Sequence, residues 1–202
     1  MAKNLINQKL NLKVFSRTLE KAKPLQKLGA IISNSLGEAV NEADIVITML
    51  TDDEAVEKVL GNQEFSNNLK NPSTVIDMSS IKPKIAIKYG QLLKDRNIHF
   101  LDAPVSGGTI GAEEGSLAIM VGGDQNVFDG AFDTLKIMGN PTLVGPIGSG
   151  QVSKLANQII VGVTIGAVAE AITLCEKAGV DANKFIKALS GGFADGKILQ
   201  NH

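Results

Sequence analysis

The sequence predicts an α/β fold, a doubly wound parallel sheet followed by a long helix that begins an all-α C-terminal part. Three observations carry this. Apolar runs without polar alternation recur at Asp44–Leu50 and Thr74–Met78, as in parallel strands covered on both faces. Segments of helical spacing lie between the strands, at βαβ intervals. Val152–Ala178 reads as one helix, apolar on most faces, which predicts burial on all sides.

Taken in order, Ala2–Lys9 reads as a short helix or the tail of one, and Leu10–Phe15 as a strand. Ser16-Arg17-Thr18 ends it, with Thr18 placed to cap a helix over Leu19–Leu28. Pro24 lies too deep for a first-turn proline and predicts a late start or a kink. Ala30–Ser33 is a short strand, Leu36–Asn41 a short helix, and Asp44–Leu50 (DIVITML) a buried strand. A helix over Asp52–Leu60 is followed by a polar, Asn-rich loop ending at Pro72, then the strand Thr74–Met78. Pro83 stands near the start of a helix running to about Arg96. Phe100–Asp102 is a strand leading through Pro104 into a Ser-Gly-Gly turn and a glycine-spaced loop, before the strand Leu117–Val121. Val127–Met138 is helical and Pro141–Gly145 a last short strand. Gly145-Pro146 and Gly148-Ser149-Gly150 form the clearest linker, dividing residues 1–147 from 148–202. Gly179 stops the long helix and Asp181 caps a shorter one, Ala182–Leu189; the remainder is weakly patterned.

Composition excludes several functions. A net charge of −1 offers no basic surplus for nucleic acid. With no Trp and one Tyr there is no base-stacking platform. The single Cys175 excludes an internal disulfide and fits a reducing compartment. Two histidines, His99 and His202, and one cysteine leave little for a metal site. His99 reads as structural, and Asp52-Asp53-Glu54 and Glu113-Glu114 as solvated surface. The start, MAKNLINQKLNLKV, has neither an apolar targeting core nor an Arg-rich presequence, so a cytoplasmic protein without a membrane partner is expected.

The stretch Phe100–Gly123, FLDAPVSGGTIGAEEGSLAIMVGG, organises the chain. Glycine-rich loops between apolar strands bring backbone close to something. Ser106-Gly107-Gly108 can present successive N–H groups and a hydroxyl to an anion, although glycine content alone reads better as a tight turn. The ordered string D-A-P-V-S-G-G, G-A-x-x-G-x-L, M-V-G-G resembles the substrate-binding segment of the β-hydroxyacid dehydrogenases. That family includes 3-hydroxyisobutyrate dehydrogenase, tartronate semialdehyde reductase and the glyoxylate/succinic semialdehyde reductases.

The resemblance implies a Rossmann-like domain, which opens with a strand and the phosphate-binding turn G-x-G-x-x-G. No such turn stands near the start of this chain, and MAKNL matches the helix that follows it. The first strand and glycine loop are therefore expected upstream of Met1, and a fuller helical domain beyond the long helix. Together these make up roughly a third of the family length.

GSGQVSKLANQ matches the family's G-x-G-x-x-x-K-x-x-N at Gly148, Gly150, Lys154 and Asn157. By resemblance Lys154 is the catalytic acid/base, giving a proton to the substrate carbonyl oxygen as hydride arrives. An ammonium on an apolar helix has its pKa lowered by desolvation, which suits that role. Asn157, three residues on, shares its helical face and orients the substrate. A lone Lys in a first helical turn is ordinarily a solvated surface residue; the matched motif decides for chemistry.

The resemblance gives Ser106, Gly107 and Gly108 the substrate carboxylate. Arg17 stands where an acidic residue would bind the ribose 2′-hydroxyl of NAD and an Arg accommodates the 2′-phosphate of NADP. S-R-T resembles the N-R-T of NADP-preferring members, so NADP is implied, with NAD the alternative. Leu50 and Ser80 match cofactor-lining positions, though Thr51 replaces the family's proline after Leu50.

The implied activity is reduction of a small semialdehyde such as tartronate semialdehyde (2-hydroxy-3-oxopropionate), or oxidation of 3-hydroxyisobutyrate, by hydride transfer. K-L-A-N-Q, with Gln158 after Asn157, is more similar to the tartronate semialdehyde members than K-x-x-N-N. The 6-phosphogluconate dehydrogenases have a different glycine pattern and a His before the Asn, neither present here. The alternative is a non-catalytic remnant that keeps the fold for assembly or weak ligand binding. The missing phosphate loop predicts weak cofactor affinity. An incompletely covered apolar helix predicts a homo-oligomer.

Overall fold

The structure, a computed structural model, describes residues 1–200. They form two compact units that divide inside one helix, after Lys154.

In the first unit, α1 (Ala2–Asn7) precedes β1 (Lys13–Val14), which pairs in parallel with β2 (Ile31–Ile32). A 3-10 turn, Leu19–Lys21, and α2 (Lys23–Gln26) replace the single helix expected over Leu19–Leu28. Pro24 sets the break: it sits in the first turn of α2, where its missing N–H is no loss. Thr18 takes the cap position of the 3-10 turn, but its side chain makes no capping bond. Its N–H donates instead to Ser16 Oγ (3.3 Å).

Next come α3 (Leu36–Val40), β3 (Ile45–Thr48), α4 (Asp53–Leu60) and α5 (Gln63–Asn68). The Asn-rich stretch expected as loop holds α5. Asn62 caps it by accepting the Glu64 N–H (2.7 Å), and Phe65, 1% exposed, pins it to the core. One buried aromatic outweighs a loop-like composition. Beyond it run β4 (Thr74–Asp77), α6 (Pro83–Lys94), β5 (His99–Asp102), β6 (Val105–Ser106), α7 (Gly108–Glu114), β7 (Leu117–Gly122), α8 (Gln125–Lys136) and β8 (Gly139–Gly145). The glycine-spaced loop is thus largely helix α7, ended by Gly115 in the left-handed conformation (φ 71°).

The six-stranded sheet runs β3-β4-β5-β7-β6, with β8 on β7. β3, β4 and β5 are parallel and β8 is parallel to β7, while β7 runs antiparallel to β5 and β6. Helices cover both faces, as the unalternated strand runs require. Val75 and Phe100 enter one apolar cluster with Val56, Phe65 and Tyr89. Their neighbours Ile76 and Leu101 enter the other with Ile119 and Leu135.

The expected linker is built structure. β8 extends through Gly145, and α9 (Ser149–Lys177) starts at Ser149, ahead of the expected Val152. Gly148 and Gly150 are buried.

The second unit holds the rest of α9, then α10 (Ala182–Leu189) and α11 (Lys197–Gln200). Gly179 (φ 75°) ends α9 and Asp181 caps α10 by accepting the Lys184 N–H (3.0 Å). The expected burial of α9 on all sides is not found: Ile159, Ile160, Val163 and Leu174 are 66–70% exposed. Only the short helices α10 and α11 follow it among the described residues, too little to cover it. By length and composition α9 is also apolar enough to cross a membrane, with a mean hydropathy of 1.8 in its most apolar window.

Candidate active site

Thr48, Asp77 and Asp102 end three parallel strands in register, so their side chains share the carboxyl edge of the sheet. In open α/β sheets that edge is where ligands bind. The three are 7%, 0% and 0% exposed, so each must find its partners inside the protein.

Asp77 Oδ1 accepts from Thr48 Oγ1 (2.8 Å) and from Ser79 Oγ (2.6 Å), and Ser79 Oγ in turn accepts the Leu50 N–H (2.9 Å). The loop after β3, which carries Leu50, is thereby fixed to the loop after β4, which carries Ser80. Leu50 is half-buried and Ser80 exposed. Burial pushes the Asp77 carboxyl above its ordinary range, against the pull of its hydroxyl donors.

Asp102 joins the sheet to the start of α9. Its Oδ1 accepts the Gly148 N–H (2.7 Å) and its Oδ2 the Gln151 N–H (2.9 Å). A carboxylate at a helix N-terminus satisfies donors that lack intrahelical partners. Burial still dominates and pushes this carboxyl up to about 6, despite the backbone donors. Two glycines make the approach possible. A Cβ on Gly150 would stand 2.6 Å from the Asp102 carbonyl oxygen, and one on Gly122 would stand 2.9 Å from Gly150 N.

Gln151, 1% exposed, is the other link. Its Oε1 accepts the Ile81 N–H (3.0 Å) and its Nε2 donates to the Ser79 carbonyl (2.8 Å). Lys154 follows three residues later, half-buried on α9. It forms no ion pair among the described residues, and burial lowers its pKa from the ordinary lysine value.

Ser106 lies four residues beyond Asp102 and is paired with Ala118 across β6 and β7. Gly107 (φ 136°) is the N-cap of α7 and Gly108 (φ 63°) its first residue; both are exposed. Both need a backbone conformation that side chains rarely adopt. The first-turn N–H groups of α7 have no intrahelical acceptor.

Arg17 is exposed beyond β1 and forms no ion pair among the described residues. Its charge helps lower the pKa of Asp52, so it stands on the side of the molecule where the Leu50 loop enters α4. Asn157 belongs to the second unit, where its amide donates to Gln158 Oε1 (3.2 Å).

The acidic run at 52–54 is more than solvated surface. Asp52 caps α4 by accepting the Ala55 N–H (2.8 Å), and Asp53 accepts the Lys82 N–H (3.0 Å) and pairs with its ammonium (2.7 Å). Sequence reasoning also passed over Asp77, Asp102 and Gln151. Asp102 and Gln151 lie inside the two motifs that drew attention for their glycines and lysine. A carboxylate closing an apolar strand is the signal that marks Asp77 and Asp102.

Residues 1–152 match the family model described as the NAD binding domain of 6-phosphogluconate dehydrogenase. Residues 148–202 match that described as NAD-binding of NADP-dependent 3-hydroxyisobutyrate dehydrogenase. The oxidoreductase YkwC of Bacillus subtilis is 37% identical over 203 residues, spanning 100% of this chain and 70% of that protein. The 2-hydroxy-3-oxopropionate reductase of Escherichia coli is 42% identical over 183 residues, spanning 90% of this chain and 63% of the reductase. The structure of Mycobacterium tuberculosis 3-hydroxyisobutyrate dehydrogenase with L-serine is 31% identical with a TM-score of 0.88, over 98% of this chain and 67% of that one. The chain thus spans 63% to 70% of the length of these relatives. With both units matched and this identity sustained over nearly its whole length, the chain belongs to the β-hydroxyacid dehydrogenase family.

Proposed function

We propose that the chain carries the proton-transferring lysine and the substrate-carboxylate segment of an NADP-dependent reductase of a small semialdehyde. The observation that carries this reading is Lys154. Its ammonium is held half-buried without a counter-charge among the described residues, just after a helix start fixed by Asp102 and Gln151.

The residues fit a phosphorylated dinucleotide at one end. An exposed guanidinium outside any described ion pair, Arg17, suits a 2′-phosphate. Leu50 and Ser80 stand on two loops joined through Ser79, ready to line the nicotinamide side. The family description that names an NADP-dependent enzyme supports NADP, with NAD the alternative.

When bound, the reduced nicotinamide supplies the hydride. Lys154 gives a proton to the carbonyl oxygen and takes it back in the oxidative direction. Lowering its pKa brings it closer to working pH, which favours both directions. The Ser106 hydroxyl and the N–H groups at Gly107 and Gly108 hold the substrate carboxylate without a cation. Lys154 is thereby left to the carbonyl, and Asn157 orients the substrate. The name of the Escherichia coli relative favours 2-hydroxy-3-oxopropionate as substrate, with 3-hydroxyisobutyrate next. A homo-oligomer, with a second copy over the apolar faces of α9, and a cytoplasmic location complete the reading.

Fluorescence titration with NADPH, followed by a reduction assay on 2-hydroxy-3-oxopropionate, tests it. Binding that weakens in Arg17→Ala and turnover abolished in Lys154→Ala support it; no binding up to millimolar NADPH overturns it for this chain.

A further inference from the structure

Gln151 places both polar ends of its side chain on a single loop. Oε1 accepts the Ile81 N–H and Nε2 donates to the Ser79 carbonyl, and those two backbone groups flank Ser80. The Gln151 N–H meanwhile donates to Asp102 Oδ2, beside the Gly148 N–H on Oδ1. One residue therefore touches the end of β5, the loop after β4 and the first turn of α9, a turn ahead of Lys154. It is 1% exposed, so water offers no substitute for any of these bonds. A fully satisfied buried network holds one geometry, because any slip leaves a donor or acceptor unpaired.

We propose that Gln151 is a positioning residue that couples the Ser80 loop to the helix turn carrying Lys154. The functional half of this rests on Lys154 and Ser80 being site residues, as argued above. The chemistry asks for an amide. Only a group that accepts on one side and donates on the other matches an N–H and a carbonyl flanking a single residue. An ionised carboxylate accepts from Ile81 but repels the Ser79 carbonyl, and a thioether of similar length does neither. Asn carries the right atoms on a stem one methylene shorter. Gln151 touches neither substrate nor cofactor; it keeps the hydride side and the proton side in register.

The test uses the full chain with Gln151→Met and Gln151→Glu. Amide hydrogen exchange is read at Ile81 and, as a control in the same sheet, at Val75. The titration midpoint of Lys154 is read by competitive acetylation and peptide mass spectrometry. In Gln151→Met, exchange at Ile81 rises about tenfold or more while Val75 stays unchanged. The Lys154 midpoint climbs from its lowered position toward the ordinary lysine value as the desolvated setting of its ammonium loosens. In Gln151→Glu, Ile81 protection returns as pH falls and the introduced carboxyl becomes protonated, since it then donates to Ser79 as well. A merely space-filling role gives no such rescue. If Gln151→Met does not fold, the pH series on Gln151→Glu decides the matter alone. A Lys154 midpoint that stays at the wild-type value in folded Gln151→Met, or Ile81 protection in Gln151→Glu that ignores pH, overturns the coupling. If Lys154 and Ile81 respond but the wild-type chain binds no NADPH, the coupling stands and the proposed function fails.

Discussion

The Asp102 carboxylate, on the last residue of β5, accepts the Gly148 N–H at 2.7 Å and thereby closes the sheet onto the start of α9. Both partners are buried, and the bond spans 46 residues of chain. It ties the D-A-P-V-S-G-G segment to the G-S-G-Q-V-S-K segment, two stretches whose connection neither motif reveals.

This bond predicts a pH dependence. Burial raises the folded-state pKa of Asp102 to about 6 from 3.8, so the folded state holds this proton more tightly than the unfolded chain does. Stability from this group is fully present below about pH 4 and is lost as pH rises to about 6, an amount of about 3 kcal/mol. Asp77 is shifted in the same direction, also by burial. Urea denaturation of wild type should show this fall between pH 4 and pH 6.5, and Asp102→Asn should lose the share due to Asp102. An equally steep fall in Asp102→Asn would mean that another group titrates.

Gly150 gives a steric prediction. A Cβ there meets two backbone carbonyls, Met120 O and Asp102 O, which have nowhere to move. Gly150→Ala should cost about 1–3 kcal/mol by overpacking. Gly162, further along α9, has nothing within 4 Å of its would-be Cβ. Gly162→Ala should instead stabilise by about 0.5–1 kcal/mol through helix propensity. Thermal unfolding of the two variants should move in opposite directions.

Local chemistry explains what was legible beforehand. The strands at 44–50 and 74–78 announced themselves because each sends apolar side chains to both clusters, which leaves no polar alternation, although Ile45–Ile47 are only half-buried. Asp181 marked a helix start because its carboxylate does cap α10. Helix α5 was hidden because a single residue, Phe65, supplies its anchor among polar neighbours. Helix α7 was hidden because glycine spacing suggests a loop, although its helical residues lie between a capping Gly107 and a terminating Gly115. The partners of the glycines around 145–150 were hidden for a related reason. Gly122 and Gly150 serve a close approach to a carboxylate from a distant strand, and nothing within six residues of sequence records that. Lys154 drew attention through its motif, whereas Gln151 has its hydrogen-bond partners 70 and 72 residues away.

Lys154→Met separates binding from chemistry. Removing the proton donor should lower kcat about 10²- to 10⁴-fold while NADPH affinity stays near that of wild type. Stability should not fall, because the variant takes a partly desolvated, unpaired charge out of the helix. A folded-state pKa below the ordinary lysine value means that wild-type stability from this group is held back at neutral pH and rises only in the alkaline range. The difference between wild type and variant should therefore narrow as pH rises toward the ordinary lysine value of 10.5. A large loss of stability at pH 7 would show that Lys154 is paired in solution.

Arg17→Ala tests the cofactor reading by contrast between two ligands. A charge-assisted contact to the 2′-phosphate is worth roughly tenfold or more in affinity. NADPH binding should weaken by that factor and NADH binding should hardly change. High salt should narrow the gap, because Arg17 is exposed and its field is screened. Equal weakening toward both ligands would assign Arg17 to the fold rather than to the phosphate.

The exposed side of α9 predicts self-association. Ile159 and Val163 are spaced four apart on one helical face and are each 68% exposed, and Ile160 beside them is 66% exposed. A patch of this kind on a monomer drives contact with another apolar surface. A second copy of the same helix offers one of matching length and composition. Light scattering at tens of micromolar should therefore show a dimer or larger species, in line with mass action. Ile159→Glu with Val163→Glu places two charges on that face and should shift the protein toward monomer without unfolding it, because neither side chain packs in the core of its unit. A wild-type chain that stays monomeric at that concentration would leave α9 without its proposed partner. Vesicle flotation would then ask whether a lipid surface takes its place, since the same helix is long and apolar enough to span one.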